Sequence, residues 1–213
     1  MTVTRSGLFN ALPDFAAAGV FLVTWVAPRA FGEQMVNRLL LVMLMEFIVI
    51  HASAFMGSVA LAKSGRGRRA ASILGFGAFY TLFAGGFSLA FRSWWPLATF
   101  WGQTVNRLLG VILGQVPDAE QKAFIMRGWA ASAVLYLLGC FATLLLPVPR
   151  LGMTPAAVAA QHIPGGGVWV NEPQKVLAFG FLYFLLMGRS ELSAHAWVGQ
   201  RKSAPSAAVP SNR

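Results

Sequence analysis

Charged residues are scarce in this sequence. Only 11% of its 213 residues are Asp, Glu, Lys or Arg, whereas a soluble domain has about 25%. With 56% hydrophobic residues and a mean hydropathy of +0.61, the chain lacks the polar surface that a water-soluble globule needs. We therefore expect an all-α, polytopic integral membrane protein, a helical bundle for which lipid is the main solvent.

Acidic residues are scarcer than basic ones. The chain has 7 Asp and Glu against 17 Lys and Arg, which gives a formal net charge of +10 at pH 7. Such a charge can indicate nucleic acid, but here the basic residues lie mainly at the ends of apolar runs. Lys63, Arg66, Arg68 and Arg69 form the densest cluster, as in the cytoplasmic loops of membrane proteins. We expect a plasma membrane (bacterial inner membrane) location, both termini in the cytoplasm, and no nucleic-acid partner.

Residues and motifs for metal or covalent chemistry are also missing. Cys140 is the single cysteine, so the chain cannot build a disulfide framework or a cysteine metal site on its own. His51, His162 and His195 are expected at three different depths, which argues against a bis-histidine haem. The sequence has no HExxH, no P-loop and no GxSxG. We therefore assign no catalytic residue, no metal ligand and no cofactor, and regard an enzyme as the less favoured class.

Long apolar runs are what the sequence has in quantity. About 20 apolar residues cross a bilayer as a helix, and six segments approach or exceed that length. The predicted spans are 12–30, 36–62, 70–91, 96–116, 125–146 and 174–191. They form one transmembrane domain over 12–198, with a cytoplasmic N-terminus at 1–11, an outer loop at 147–173 rich in Pro and Gly, and a disordered cytoplasmic tail at 199–213.

One internal similarity links the start of the second predicted span with the fourth predicted span. FGEQMVNRLLLVML at 31–44 resembles FWGQTVNRLLGVIL at 100–113, and both contain Gln-x-Val-Asn-Arg. The match favours a tandem parallel hairpin repeat, in which the first two spans and the next two are copies. The alternative is chance together with a shared need for polar residues at the outer start of a helix.

The second span carries ionisable residues near its middle. Charged groups at that depth are costly, so they usually face protein or a water-filled cavity. At 100° per residue, Glu46, Ser53 and Gly57 share one helical face, whereas His51 lies about 140° from Glu46. Two polar faces indicate neighbours on two sides and a central position in the bundle. Both residues have a structural alternative: Glu46 can fix helix register through a hydrogen bond, and His51 can be a packing histidine.

The fourth span has a polar stripe at helical spacing. Gln103, Asn106, Arg107 and Gly110 follow one face, and Gly110-x-x-x-Gly114 allows another helix to approach closely. Arg107 can reach the membrane interface as an anchor, or it can turn inward towards a carboxylate such as Glu46 or Glu33.

Three functions fit these features. The first is a small transporter or channel-like protein with a polar path. The candidate path residues are Glu46, His51, Ser53, Gln103, Asn106 and Arg107. The second is an accessory or structural subunit of a larger membrane complex, which fits because the chain has little extramembrane mass. A membrane-embedded enzyme or redox protein is the third. The expected partners are the lipid bilayer and either another membrane protein or further copies of the chain.

Overall fold

The computed structural model of the chain describes residues 5–115 and 118–198, and eight α-helices make up most of them. In chain order they are α1 (Arg5–Val26), α2 (Met35–Leu61), α3 (Arg66–Ala90), α4 (Trp95–Ile112), α5 (Ala119–Leu145), α6 (Pro155–Ala159), α7 (Val168–Asn171) and α8 (Pro173–Leu192). No strand occurs over these residues, which confirms the all-α prediction there. The tail predicted to be disordered, 199–213, lies outside the described residues, as do residues 1–4.

Four of the six long helices are long and apolar enough to cross a membrane: α1 over Gly7–Val26, α2, α3 and α5. They indicate a membrane protein in contact with lipid. α4 and α8 fall outside that set. Asn106 and Arg107 add polarity to α4, and Lys175 and Arg189 add it to α8. Each of the six long helices overlaps one of the six predicted spans.

α2 lies at the centre of the bundle. It packs against α1, α3, α4, α5 and α8, and its side chains enter two separate hydrophobic cores. The first core joins α2 to α1, α5 and α8, and includes Phe21, Met43, Tyr136, Phe179 and Tyr183. The second core joins α2 to α3 and α4, and includes Leu41, Ile48, Met56, Ile73 and Phe100. A helix that is apolar on most of its surface is buried on several sides, as this one is.

The side-chain contacts fix the direction of α5. Trp129 Nε1 donates a hydrogen bond to the carbonyl of Ile50 at 3.0 Å, and Tyr136 OH donates to the carbonyl of Met43 at 2.8 Å. Positions that rise along α5 therefore meet positions that fall along α2. The two helices are antiparallel, so the start of α5 lies beside the end of α2.

The remaining long helices alternate in the same way. Arg69 of α3 bonds the carbonyl of Ala60 near the end of α2, so α3 turns back along α2. Tyr80 of α3 meets Phe100 of α4, with ring centroids 6.3 Å apart, and Gly77 lies against Thr104. α3 and α4 are therefore antiparallel too.

α8 returns to the direction of α2. Gly139 of α5 lies against Phe179, and Lys175 Nζ bonds the carbonyl of Leu144 at 3.3 Å, so α8 is antiparallel to α5. Along α1, Phe21 meets Gly180. The six long helices thus run alternately up and down the bundle in chain order.

The two halves of the predicted repeat are packed differently. α3 and α4 lie along each other, whereas α1 packs chiefly along α8 and meets α2 at few positions. The duplication of a hairpin therefore stays a prediction from the sequence.

The predicted outer loop, 147–173, closes one end of the bundle. It contains the short helices α6 and α7 and is tied to α1 by two hydrogen bonds: Trp25 Nε1 to the carbonyl of Pro149 at 3.0 Å, and the amide of Gly152 to the carbonyl of Trp25 at 3.1 Å. Asn37 of α2 donates to the carbonyl of Gln161 at 2.8 Å. These bonds fix the loop against the ends of α1 and α2.

Candidate functional site

The most unusual polar contact in the bundle joins α2 to α8. Tyr183 OH donates a hydrogen bond of 2.6 Å to Glu46 Oε1, and Tyr183 is only 1% exposed. The tyrosine stands in the first core, edge-on to Tyr136 and Phe179. A phenol placed there has an apolar ring environment and a polar tip that needs a partner. Glu46 supplies that partner.

Two further carboxyl groups continue from this pair: Asp14 lies near the pair, and Glu191 lies near Asp14. Asp14 of α1 is within electrostatic range of Glu46, Tyr183 and Glu191. Glu191 stands at the end of α8, and its Oε2 is buried without a hydrogen-bond partner among the described residues. We call Asp14, Glu46, Tyr183 and Glu191 the acid cluster.

The acid cluster has no basic partner in the described ranges. The ion pair found there joins Lys175 to Glu172, at 3.3 Å, in the outer part of the bundle. Buried charges are ordinarily paired or hydrogen-bonded. Glu46 meets this rule through Tyr183, whereas the buried Oε2 of Glu191 has no partner among the described residues and needs an explanation. Groups of this kind inside membrane helices are often functional.

The helix directions place the acid cluster along the bundle axis. Glu46 and Tyr183 lie near the middles of α2 and α8. Asp14 lies closer to the end of α8, because the next residue, Phe15, packs against Gly188. Glu191 is one residue from the end of α8, at the same end as the basic connection 62–65 between α2 and α3. The acid cluster therefore extends from the middle of the bundle to that end.

Beyond Glu46, towards the outer loop, a layer of apolar side chains comes first, and the polar side chains of Thr24, Thr143 and Gln174 are buried nearer the loop. Leu40, Met43, Val176 and Leu177 are buried in that layer, and the next buried polar side chain on α2 is Asn37, at the outer end. Glu46 does not line any of the five main cavities that adjoin the described helices. A layer of apolar side chains thus separates Glu46 from the buried polar groups at the loop end of the bundle.

A polar cap closes α8 beside Glu191. Ser190 Oγ lies 2.8 Å from His195 Nδ1, and Trp197 Nε1 donates to the same Ser190 oxygen at 2.6 Å. Burial lowers the pKa of His195, and the charge of Arg127 on α5 lowers it further. A cavity of about 360 Å³ adjoins this cap, lined by Leu135, Leu186, Arg189, Ser190, Ser193, Ala196 and Trp197. The cap holds the end of α8 against the start of α5, because Phe124 and Gly128 lie against the His195 ring.

Arg107 turns inward and is not an interface anchor, but it does not reach a carboxylate such as Glu46 or Glu33. Its Nη2 donates to Ser53 Oγ at 2.5 Å, and Nη1 lies 3.4 Å from the carbonyl of Ala52. Ser53 therefore bonds α4, whereas Glu46 bonds α8. Seven residues separate Glu46 from Ser53, which is about 10 Å along a helix, and the neighbouring helices at the two levels differ.

The other predicted path residues stand on the surface. His51 is exposed, with Nδ1 at 2.8 Å from the carbonyl of Phe47 and its ring 4.1 Å from the Phe47 ring centroid. Gln103 and Asn106 are exposed on α4. The six predicted residues thus occupy three separate places: Glu46 in the first core, Ser53 with Arg107 between α2 and α4, and the remaining three on the surface.

Asp14 and Glu191 were not among the sequence candidates. Asp14 has the same signal as Glu46, since it is an acid inside an apolar run. Tyr183 carries no comparable signal, because an aromatic residue in an apolar helix is ordinary packing. Its role appears only when the fold brings α8 against α2.

The described residues contain no group of three or more His, Cys, Asp or Glu side chains that could hold a metal ion. No protein-family model, curated protein or solved structure matches the chain. The case for the acid cluster therefore rests on its own geometry.

Proposed function

We propose that this chain is a six-span membrane protein, a small transporter or channel-like protein in which the acid cluster takes up and releases a proton. The observation that carries the proposal is the carboxyl group of Glu46 at the middle of the bundle, with Asp14 within electrostatic range of it and no ion pair between either acid and a cation in the described part of the chain. Carboxyl chains of this kind form proton relays in pumps and transporters.

The helix directions support six crossings. α3 and α5 run the same way, because each is antiparallel to α2. If both cross the membrane, α4 must cross between them to bring the chain back. α8 lies lengthwise along α1 and α5 and returns the chain once more. The polar residues that lower the hydropathy of α4 are partly turned inward, as the contact of Arg107 with Ser53 illustrates.

The basic cluster orients the protein. Lys63, Arg66, Arg68 and Arg69 stand at one end of the bundle, and short loops rich in Lys and Arg stay in the cytoplasm. The Glu191 end of the acid cluster then faces the cytoplasm, and the apolar layer above Glu46 separates it from the outside. This arrangement gives proton access from the cytoplasm to mid-membrane and requires a rearrangement around Tyr183 for passage further out.

Proton flux into liposomes tests the proposal. The purified protein is reconstituted with an internal pH-sensitive dye, and a potassium diffusion potential drives protons inward. We expect Glu46→Gln and Asp14→Asn each to lower the flux at least tenfold. Glu33→Gln is the matched control, because Glu33 is an exposed acid outside the acid cluster, and it should leave the flux at the wild-type rate. Wild-type flux in Glu46→Gln would remove this residue from the mechanism.

A second function is favoured by one observation. Glu46 is held by Tyr183 in a closed helix contact and lines no cavity among those described. In an accessory or structural subunit of a membrane complex, this bond would fasten α2 to α8. Wild-type protein without flux above empty liposomes, with Glu46→Gln and Tyr183→Phe equally destabilised in detergent, would support that function. Native mass analysis would then identify the partner.

A further inference from the structure

Two amide side chains stand exposed at mid-depth on α4. Gln103 and Asn106 are both exposed and make no hydrogen bond within the described residues. The neighbouring residue Thr104 shows their depth in the bundle. It packs against Gly77, near the middle of α3, which is a candidate membrane span. In the six-span arrangement both amides therefore face the hydrocarbon core of the bilayer.

Lipid does not satisfy these groups. Transfer of an amide from water to an apolar environment without a hydrogen bond is strongly unfavourable. Polar side chains on membrane helices accordingly pair with other helices. The exposed apolar residues of the same helix, such as Val105 and Leu109, need no such partner.

The surface around Asn106 admits close approach of another helix. Gly102 and Gly110 lie four residues before and after Asn106, hence on the same side of α4. A Cβ added at Gly102 would meet nothing within 4 Å, so the backbone is open there. Small residues on a helix face let two membrane helices come close enough to hydrogen-bond. We call Thr99, Gly102, Gln103, Asn106 and Gly110 the α4 face.

We infer that the α4 face binds a second copy of this chain. The face carries no charge, because Arg107 is turned inward to Ser53, so a charged partner would find no counterpart on it. A primary amide is both donor and acceptor, and such a face is complementary to itself. Copies of one chain insert in the same direction, so a two-fold axis along the membrane normal sets Asn106 opposite Asn106, with Gln103 at the edge of the contact. This inference is independent of proton transfer.

Disulfide cross-linking in native membranes tests the α4 face. Single cysteines are placed in a Cys140→Ala background and oxidised, and dimer is read on a non-reducing gel. We expect Gly102→Cys and Asn106→Cys to form at least five times more dimer than Thr104→Cys, which is buried on the opposite side of α4. Leu138→Cys controls for random collision, because Leu138 is 63% exposed on α5, away from the α4 face.

A second variant separates pairing from proximity. Gln103→Leu combined with Asn106→Leu, added to Gly102→Cys, should lower the dimer fraction by about threefold or more, since interhelical hydrogen bonds in membranes are individually modest. Asn106→Gln keeps the amide and should retain the dimer. Equal cross-linking at Leu138 and Gly102, or cross-linking of Asn106→Cys to a chain of different mass, would overturn the inference.

Discussion

His195 is a residue whose protonation opposes the folded state. It is buried at the end of α8, its Nδ1 lies against Ser190, and Phe124, Gly128 and Arg127 of α5 face its ring. Burial and then the Arg127 charge lower its pKa below the ordinary value of 6.5. The unfolded chain therefore binds a proton at higher pH than the folded one, so stability should fall as the pH drops below about 7.

Thermal unfolding in detergent at pH 7.5 and pH 5.5 measures this effect. The wild-type midpoint should fall more between these values than that of His195→Gln, which has no imidazole to protonate. His51→Gln is the control, because His51 is exposed on α2 and should leave the wild-type pH dependence in place. An identical fall in wild type and His195→Gln would show that the remaining titratable groups account for the whole effect.

At the same scale, the sequence could identify single residues but not their partners. Glu46 was recognisable as an acid in an apolar run, and Arg107 as a cation that can turn inward. Its acceptor, Ser53, lies 54 residues away, and Tyr183 lies 137 residues from Glu46. Helical periodicity places side chains around one helix but does not say which neighbour each one meets. The expectation that Glu46 and Ser53 share a face therefore did not predict that they bond different helices.

The α1–α8 pair depends on two glycines of α8. A Cβ at Gly180 would overlap the ring of Phe21, and a Cβ at Gly188 would come within 2.9 Å of the ring of Phe15. Gly180→Ala and Gly188→Ala should each destabilise the protein by about 1–3 kcal/mol, the usual cost of overpacking. Because Asp14 stands beside Phe15, loosening this contact should also disturb the acid cluster.

Gly19→Ala on α1 provides the matched comparison. A Cβ there meets nothing within 4 Å, and alanine favours a helix over glycine, so this variant should be as stable as wild type or slightly more stable. Equilibrium unfolding in mixed detergent micelles gives the three values. If Gly180→Ala and Gly19→Ala behaved alike, Phe21 would have room to move and the close packing of α1 on α8 would not limit stability.

Whole elements were predicted more closely than their contacts. The second span, 36–62, differs by one residue at each end from α2 (Met35–Leu61), because a long apolar run bounded by polar residues has few alternatives. The first span was expected to start at 12, whereas α1 starts at Arg5, with Pro13 inside the helix. A proline usually interrupts or begins a helix, and the sequence alone did not show that this one is tolerated.

At the scale of the whole molecule, topology decides how the acid cluster meets the two sides of the membrane. Composition alone selects four helices, α1, α2, α3 and α5. The proposed six-span arrangement adds α4 and α8 from the helix directions, which depend on contacts between distant segments. For this reason the number of crossings rests on the packing as much as on hydropathy.

Labelling of single cysteines with a membrane-impermeant maleimide tests the six crossings in intact cells, again in a Cys140→Ala background. Ser93 and Glu120 flank α4, while Ala156 and Ala194 stand on either side of α8. We expect Ser93→Cys and Ala156→Cys to react from outside, and Glu120→Cys and Ala194→Cys to react only after the membrane is opened. Reaction of Glu120→Cys in intact cells would mean that α4 does not cross. The start of α5 lies at the same end of the bundle as the end of α2 and the Glu191 end of the acid cluster. That end could then no longer be assigned to the cytoplasm.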